Sequence, residues 1–173
     1  AQAHLTGAPT HGYSDPYELW LQIGAVVYVF LGLIFLRKLL LQHFSERVTA
    51  ITLLTILFCT NLFYYTAAQG PMPHAQIFFL MSAFLFCTQK FHERPGIKWA
   101  LLMALTGGMV VFVRPNHLLI WMIPVLYDFS KAKLAWWKQH WIKALVWIPG
   151  VLIVVSPQLF YWHHFSGQWI FYS

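Results

Sequence analysis

Arg114 has the most chemistry to offer of any residue in this chain. It interrupts a stretch, residues 97–127, that is mostly apolar apart from Lys98 at its start and the polar residues directly after Arg114. An ionisable group at membrane depth is costly, and by default it is a functional-site hypothesis. The guanidinium offers a planar fork of five donors that fits a phosphate or carboxylate bidentately. The competing reading is that it snorkels to the headgroups or pairs with helix-end carbonyls. Pro115, Asn116 and His117 come directly after it, and a helix starting there would turn free N–H groups toward the same place and favour an anion. Further polar groups fall where the chain breaks: Tyr64, Tyr65 and Gln69, then His74, and later His163 and His164. These histidines have no HxxxH or HExxH spacing, so no metal ligand set is read from them. Of the 5 acids, only Asp15 and Glu18 can face the same side as Arg114. Asp15 before Pro16 reads as a helix N-cap. No paired-carboxylate acid/base site is built from these residues alone. There is no P-loop, dinucleotide fingerprint, nucleophile elbow or zinc-binding helix.

The elements that must position these residues are spans. A crossing helix needs about 20 mostly apolar residues, with a range of about 17–25. Candidates run over residues 19–36, 48–68 and 75–88, the last opening after the breaker Gly70-Pro71-Met72-Pro73. Residues 97–127 are too long for one straight crossing. Proline disfavours a helical residue before it and removes a donor, so two shorter helices are expected with the break at Arg114. A sixth segment covers 141–161, with Pro149 and Pro157 expected to kink it. The expected fold is all-α, a polytopic bundle of about six spans in a single transmembrane domain over 1–173.

Charge tests the parsing. Arg37, Lys38 and Arg47 fall after the first span, Lys90, Arg94 and Lys98 after the third, and Lys131, Lys133, Lys138 and Lys143 after the fifth. Those loops share one side, as expected of cytoplasmic loops, and Arg114 alone falls on the other. Tryptophans near segment ends, such as Trp20, Trp99, Trp136 and Trp162, fit an interfacial belt.

Composition points to the same class. The 173 residues are 59% hydrophobic, 18% aromatic and 9% charged, against about 45–50% apolar and about 25% charged in a soluble domain. Such a chain is neither disordered nor, with its basic residues scattered, a nucleic-acid binder. Cys59 and Cys87 sit in apolar runs without metal or disulfide spacing and read as small buried side chains. With no initiating Met and an ending at Trp169-Ile170-Phe171-Tyr172-Ser173, the chain is expected to be an internal fragment of a longer protein.

Three stretches carry a resemblance: Asn61-Leu62-Phe63-Tyr64-Tyr65-Thr66 through Met72-Pro73-His74-Ala75-Gln76-Ile77-Phe78-Phe79-Leu80, the broken pair around "VFVRPNHLL", and the ending "PQLFYWHHFSGQWIFYS". They resemble the polytopic glycosyltransferases of the GT-C superfamily, of the kind grouped with bacterial protein mannosyltransferases and lipopolysaccharide-core sugar transferases. The resemblance implies transfer of a sugar from a polyprenyl-phosphate donor to an acceptor at the outer face of a membrane, here the bacterial inner membrane with basic loops cytoplasmic. It implies that a first-loop carboxylate deprotonates the acceptor, often with a divalent cation near the phosphate. Basic groups steady the departing phosphate, a role for Arg114, with His74, Asn116, His117 and Tyr65 as further substrate contacts. The family's acidic first loop is not recognisable here. Asp15 is the candidate within the chain, and the base is expected upstream of Ala1. The alternative is a segment of a transporter or flippase for a lipid or anionic solute, where broken helices facing a midplane ligand are common. A structural membrane subunit without a site is the third reading.

Overall fold

The computed structural model describes residues 15–128 and 130–169; the last residues of the family-like ending lie outside them. Every described element is a helix, with no strand among the described residues, as the composition and periodicity predict. The chain divides into two compact units, Ala1–Ser82 and Ala83–Ser173.

The first unit is organised by helix α1 (Asp15–Leu40), with Asp15 and Glu18 in its first turn and Arg37 and Lys38 in its last. Both pairs complement the helix dipole. Along its length the helix is apolar on all sides, leaving Phe30 64% exposed together with Leu21, Val26 and Val27. A helix apolar all round requires an apolar environment. By length and composition α1 is the one described helix able to cross a membrane by itself. Ala25, Val29 and Ala75 form the buried core, ringed by Leu33, Leu57, Leu62 and Phe78.

The expected second span is two helices, α2 (Glu46–Phe58) and α3 (Asn61–Ala67), bent by 59° at the junction. Thr60 explains the break. Its hydroxyl donates to the Ile56 carbonyl at 2.6 Å and accepts from the Leu62 N–H at 3.2 Å, so it closes one helix and caps the next. Helix α4 (His74–Glu93) begins after the Gly-Pro-Met-Pro breaker and continues past the expected end at residue 88. Lys90 and Glu93 pair at 2.6 Å in that added turn, and the helix stops short of Pro95, as the residue before a proline resists the helical region.

In the second unit, α5 (Ile97–Val113) ends on Arg114, which is extended at φ −146°, ψ 105°. The expected break is therefore present. The element beyond it differs from the one expected: a 3-10 helix (Pro115–Trp121) leads into the short α6 (Met122–Leu126). It doubles back along α5, so that a Cβ on Gly107 would lie 2.6 Å from the Trp121 ring. From their 17, 7 and 5 residues, the arms measure about 26 Å and about 21 Å, both below the ~30 Å hydrocarbon core.

The expected sixth span is also bent, by 46°, between the lysine-rich α7 (Lys131–Ala144) and the apolar α8 (Trp147–Ser166). The bend at Leu145-Val146 precedes Pro149, which occupies the first turn of α8, where a missing N–H costs nothing. Pro157 lies inside α8, which continues to Ser166. Helix α8 packs on α5 along Ala104 and Gly108, through Gly150 and Val154. Small residues at this spacing let helix backbones approach closely, the usual device of membrane helix pairs. The α2/α3 and α7/α8 pairs each suffice for a crossing if taken as one bent span.

Candidate functional site

The first turn of α1 and the loop after α3 enclose an open cleft of about 760 Å³, lined by Asp15, Glu18, Gln22, Gln69 and Pro71 among others. Three residues apart, the two carboxylates share one face of the helix. Both acids are exposed.

Gln22, one turn deeper, builds the floor. Its Oε1 accepts from the Gly70 N–H at 2.9 Å and its Nε2 donates to the Thr66 carbonyl, tying α1 to a loop distant in sequence. Gly70 is required by this approach: a Cβ there would lie 2.6 Å from the Gln22 Cα. The loop is further ordered by Gln69, whose Nε2 donates to the Tyr64 hydroxyl at 3.3 Å. Its carbonyl accepts from the Met72 N–H at 2.9 Å. Tyr65 and His74, both named from sequence, meet here as stacked rings 3.8 Å apart at 27°. The cleft thus offers two carboxylate acceptors above side-chain amides, a donor and acceptor set that suits hydroxyl-rich ligands.

In the second unit Arg114, Asn116 and His117 occupy the tip of the α5 hairpin, where the His117 N–H donates to the Arg114 carbonyl at 3.0 Å. Arg114 and Asn116 are exposed and His117 is half-buried. Among the described residues the ion pairs are Arg37–Glu46 and Lys90–Glu93, and neither involves Arg114. The expected anion site at a following helix N-terminus is not formed. The element after Arg114 is a seven-residue 3-10 helix with Pro115 at its start, which supplies one N–H fewer and too short a dipole to act as an α-helix end. Anion binding at this tip falls to the guanidinium.

No family model, no curated protein and no solved structure matches the chain. Among the described residues no three His, Cys, Asp or Glu side chains group as metal ligands.

Two residues escape sequence reading. Gln22 is a lone amide between Leu21 and Ile23, and its polarity inside an apolar run is the signal, since such groups bond across helices. The other is His92, which is 8% exposed within an aromatic box. It stacks on Tyr127 at 4.7 Å and 9°, lies 4.7 Å from Trp136, and meets Trp137 edge-on at 5.5 Å. Its Nε2 lies 2.9 Å from the Pro124 carbonyl. That carbonyl can only accept, so the ring carries its proton on Nε2. Burial, reinforced by the Lys133 charge and opposed by the Pro124 bond and Asp128, pushes the imidazole down to about 4.

Proposed function

We propose that this chain is the membrane-embedded core of a glycosyltransferase that moves a sugar from a polyprenyl-phosphate donor to an acceptor at the outer face. In this reading about six segments sit in a bacterial inner membrane, their basic loops cytoplasmic. The observation that carries it is the cleft at the head of α1, where Asp15 and Glu18 stand over Gln22 and Gln69. The reading is supported by the loop charges, since Lys and Arg cluster in alternate loops.

The chemistry rests on the two groups. A cleft carboxylate, Asp15 first, takes the proton of the acceptor hydroxyl as its oxygen bonds to the anomeric carbon. The bond from that carbon to the phosphate oxygen breaks, and its electron pair leaves with the polyprenyl phosphate. Arg114, read from its place in the sequence alone, is the group assigned to a phosphate charge. His74, Tyr65, Asn116 and His117 serve as further contacts to sugar or phosphate.

The test uses membranes holding the full-length protein and a polyprenyl-phosphate sugar labelled in the sugar. Asp15→Asn should lower sugar transfer by about 10²–10⁴-fold, the usual worth of a general base, with insertion unchanged. Undiminished transfer in both Asp15→Asn and Glu18→Gln would overturn the assignment of the cleft. Movement of intact donor across the membrane without cleavage would make the chain part of a flippase.

A further inference from the structure

Helix α3 stops before its own sequence requires it to. It ends at Ala67, yet Ala68 and Gln69 follow, and both residue types favour helix. The first residue that cannot continue is Pro71, which has no N–H for the Ala67 carbonyl and disfavours a helical Gly70. Local preference therefore leaves part of a turn unwound. That unwound stretch has a place in the site: Ala68, Gln69 and Pro71 form the loop side of the α1 cleft, opposite Asp15, Glu18 and Leu19.

What holds the stretch open comes from 44 positions away. In a helix that wound on, the Gly70 N–H would donate to the Thr66 carbonyl, four residues back. The Gln22 amide stands between the two instead. Its Oε1 accepts from the Gly70 N–H at 2.9 Å, and its Nε2 donates to the Thr66 carbonyl. One side-chain amide thus makes the two bonds that a peptide group would make. Thr66 and Gly70 are both buried, so neither backbone group can turn to water, and each must be bonded within the protein. The Thr66 hydroxyl does not enter the gap as a donor, because it donates to the Leu62 carbonyl at 2.6 Å. Two pairings are open to the same two groups. Bonded to Gln22 they hold the loop out; bonded to each other they wind it into α3.

We infer that Gln22 is a positioning residue for the cleft: its amide replaces the helix bond between Thr66 and Gly70, keeps α3 short, and so holds the wall of Ala68, Gln69 and Pro71 opposite Asp15 and Glu18. Residues 15, 18, 19 and 22 share one face of α1, so the amide that sets the wall lies on the same face as the acids. The inference rests on the reading of this cleft as the acceptor site and deepens it. A carboxylate on α1 needs an opposing surface to bring a hydroxyl to it, and that surface exists only while the amide is in place. Gln22 acts through the wall and not on the reacting atoms.

Cross-linking in membranes that hold the full-length protein, cleared of its other cysteines, reads the wall directly. Leu19→Cys with Ala68→Cys spans the cleft, since both positions line it. Tyr28→Cys with Phe79→Cys marks the packing of α1 on α4, where the native rings lie 5.7 Å apart. A short bismaleimide should join both pairs. Gln22→Leu, which keeps the bulk and removes the amide, should lower joining of the cleft pair about tenfold for the lost hydrogen bonds and leave the packing pair unchanged. Without the reporter cysteines, the same variant should transfer less sugar from the labelled polyprenyl-phosphate donor. Gly70→Ala, whose Cβ would lie 2.6 Å from the Gln22 Cα and which favours the wound turn, should lose the cleft pair too. An undiminished cleft pair in Gln22→Leu would overturn the inference and leave the Asp15 assignment standing. A lost cleft pair with undiminished transfer would overturn the positioning role, and Asp15→Asn then tests the transferase reading by itself. If Gln22→Leu also loses the packing pair, the variant has not folded, and Gly70→Ala decides by the same two readouts.

Discussion

At the scale of single residues, Arg114 and His92 show how differently a charge is handled in the two settings. Arg114 has no carboxylate partner among the described residues and stays open to an anion. If its work is a bidentate grip, a point charge on a flexible stem cannot replace it. Arg114→Lys should lower sugar transfer by about tenfold or more, with protein level and insertion unchanged; normal turnover would end the phosphate-clamp assignment. His92 is the opposite case, a buried ring kept neutral. Its folded value of about 4 lies below the ordinary 6.5, so the unfolded chain binds the proton more readily. The stability tied to the neutral ring is present above about pH 6.5 and is lost as pH falls toward 4. The full loss is roughly 3 kcal/mol at about 1.4 kcal/mol per pH unit. Thermal unfolding of the detergent-purified protein at pH 7 and pH 4.5 should show a larger drop in Tm for the native chain than for His92→Phe.

At the scale of elements, close approach is the governing device. Helices α5 and α8 meet through small residues, and a Cβ on Gly150 would lie only 2.5 Å from the Ala104 Cβ. Gly150→Ala should therefore destabilise by about 1–3 kcal/mol, the usual cost of overpacking. Ala104→Gly in the same chain should recover most of it, because it removes the colliding atom. Recovery of less than a third of the lost Tm would mean that the two helices do not meet there. The bends at Thr60 and at Leu145-Val146 belong to this scale too. Each divides what hydropathy alone draws as one span, because hydropathy registers the apolar run and not the hydrogen bonds of a single hydroxyl within it. At Thr60 the clue was present in a residue type that caps helices. At Leu145-Val146 the clue was Pro149, which has no N–H for the Leu145 carbonyl and crowds it.

At the scale of the whole molecule, the distribution of basic residues makes a topological prediction. Reporter fusions after His43, Arg94 and Ser130 should behave as cytoplasmic. Fusions after Gln69, Asn116 and Ser166 should behave as outward. An active outward reporter after Arg94 would break the alternation and, with it, the assignment of Asp15 and Arg114 to one face. The hairpin Ile97–Leu126 begins and ends on the basic side whether it crosses the membrane fully or dips in and returns, and the fusion after Asn116 distinguishes the two, reading outward only for a full crossing.

The near-neighbour features were legible in the residues alone. Gly70 to Pro73 separates two helices, and Arg114-Pro115 breaks a third. These depend on proline sterics, capping and apolar run length, all set within a few residues. The meeting of Tyr65 with His74 was within reach for the same reason, the two being close in sequence. Other pairings belong to the tertiary structure. Gln22 finds Gly70 across 48 positions, His92 finds Pro124 across 32, and the arm after Arg114 folds back as a 3-10 helix against Gly107. No local preference selects those partners. They are chosen by which surfaces pack, and a buried amide or imidazole then bonds the group that packing has brought within reach.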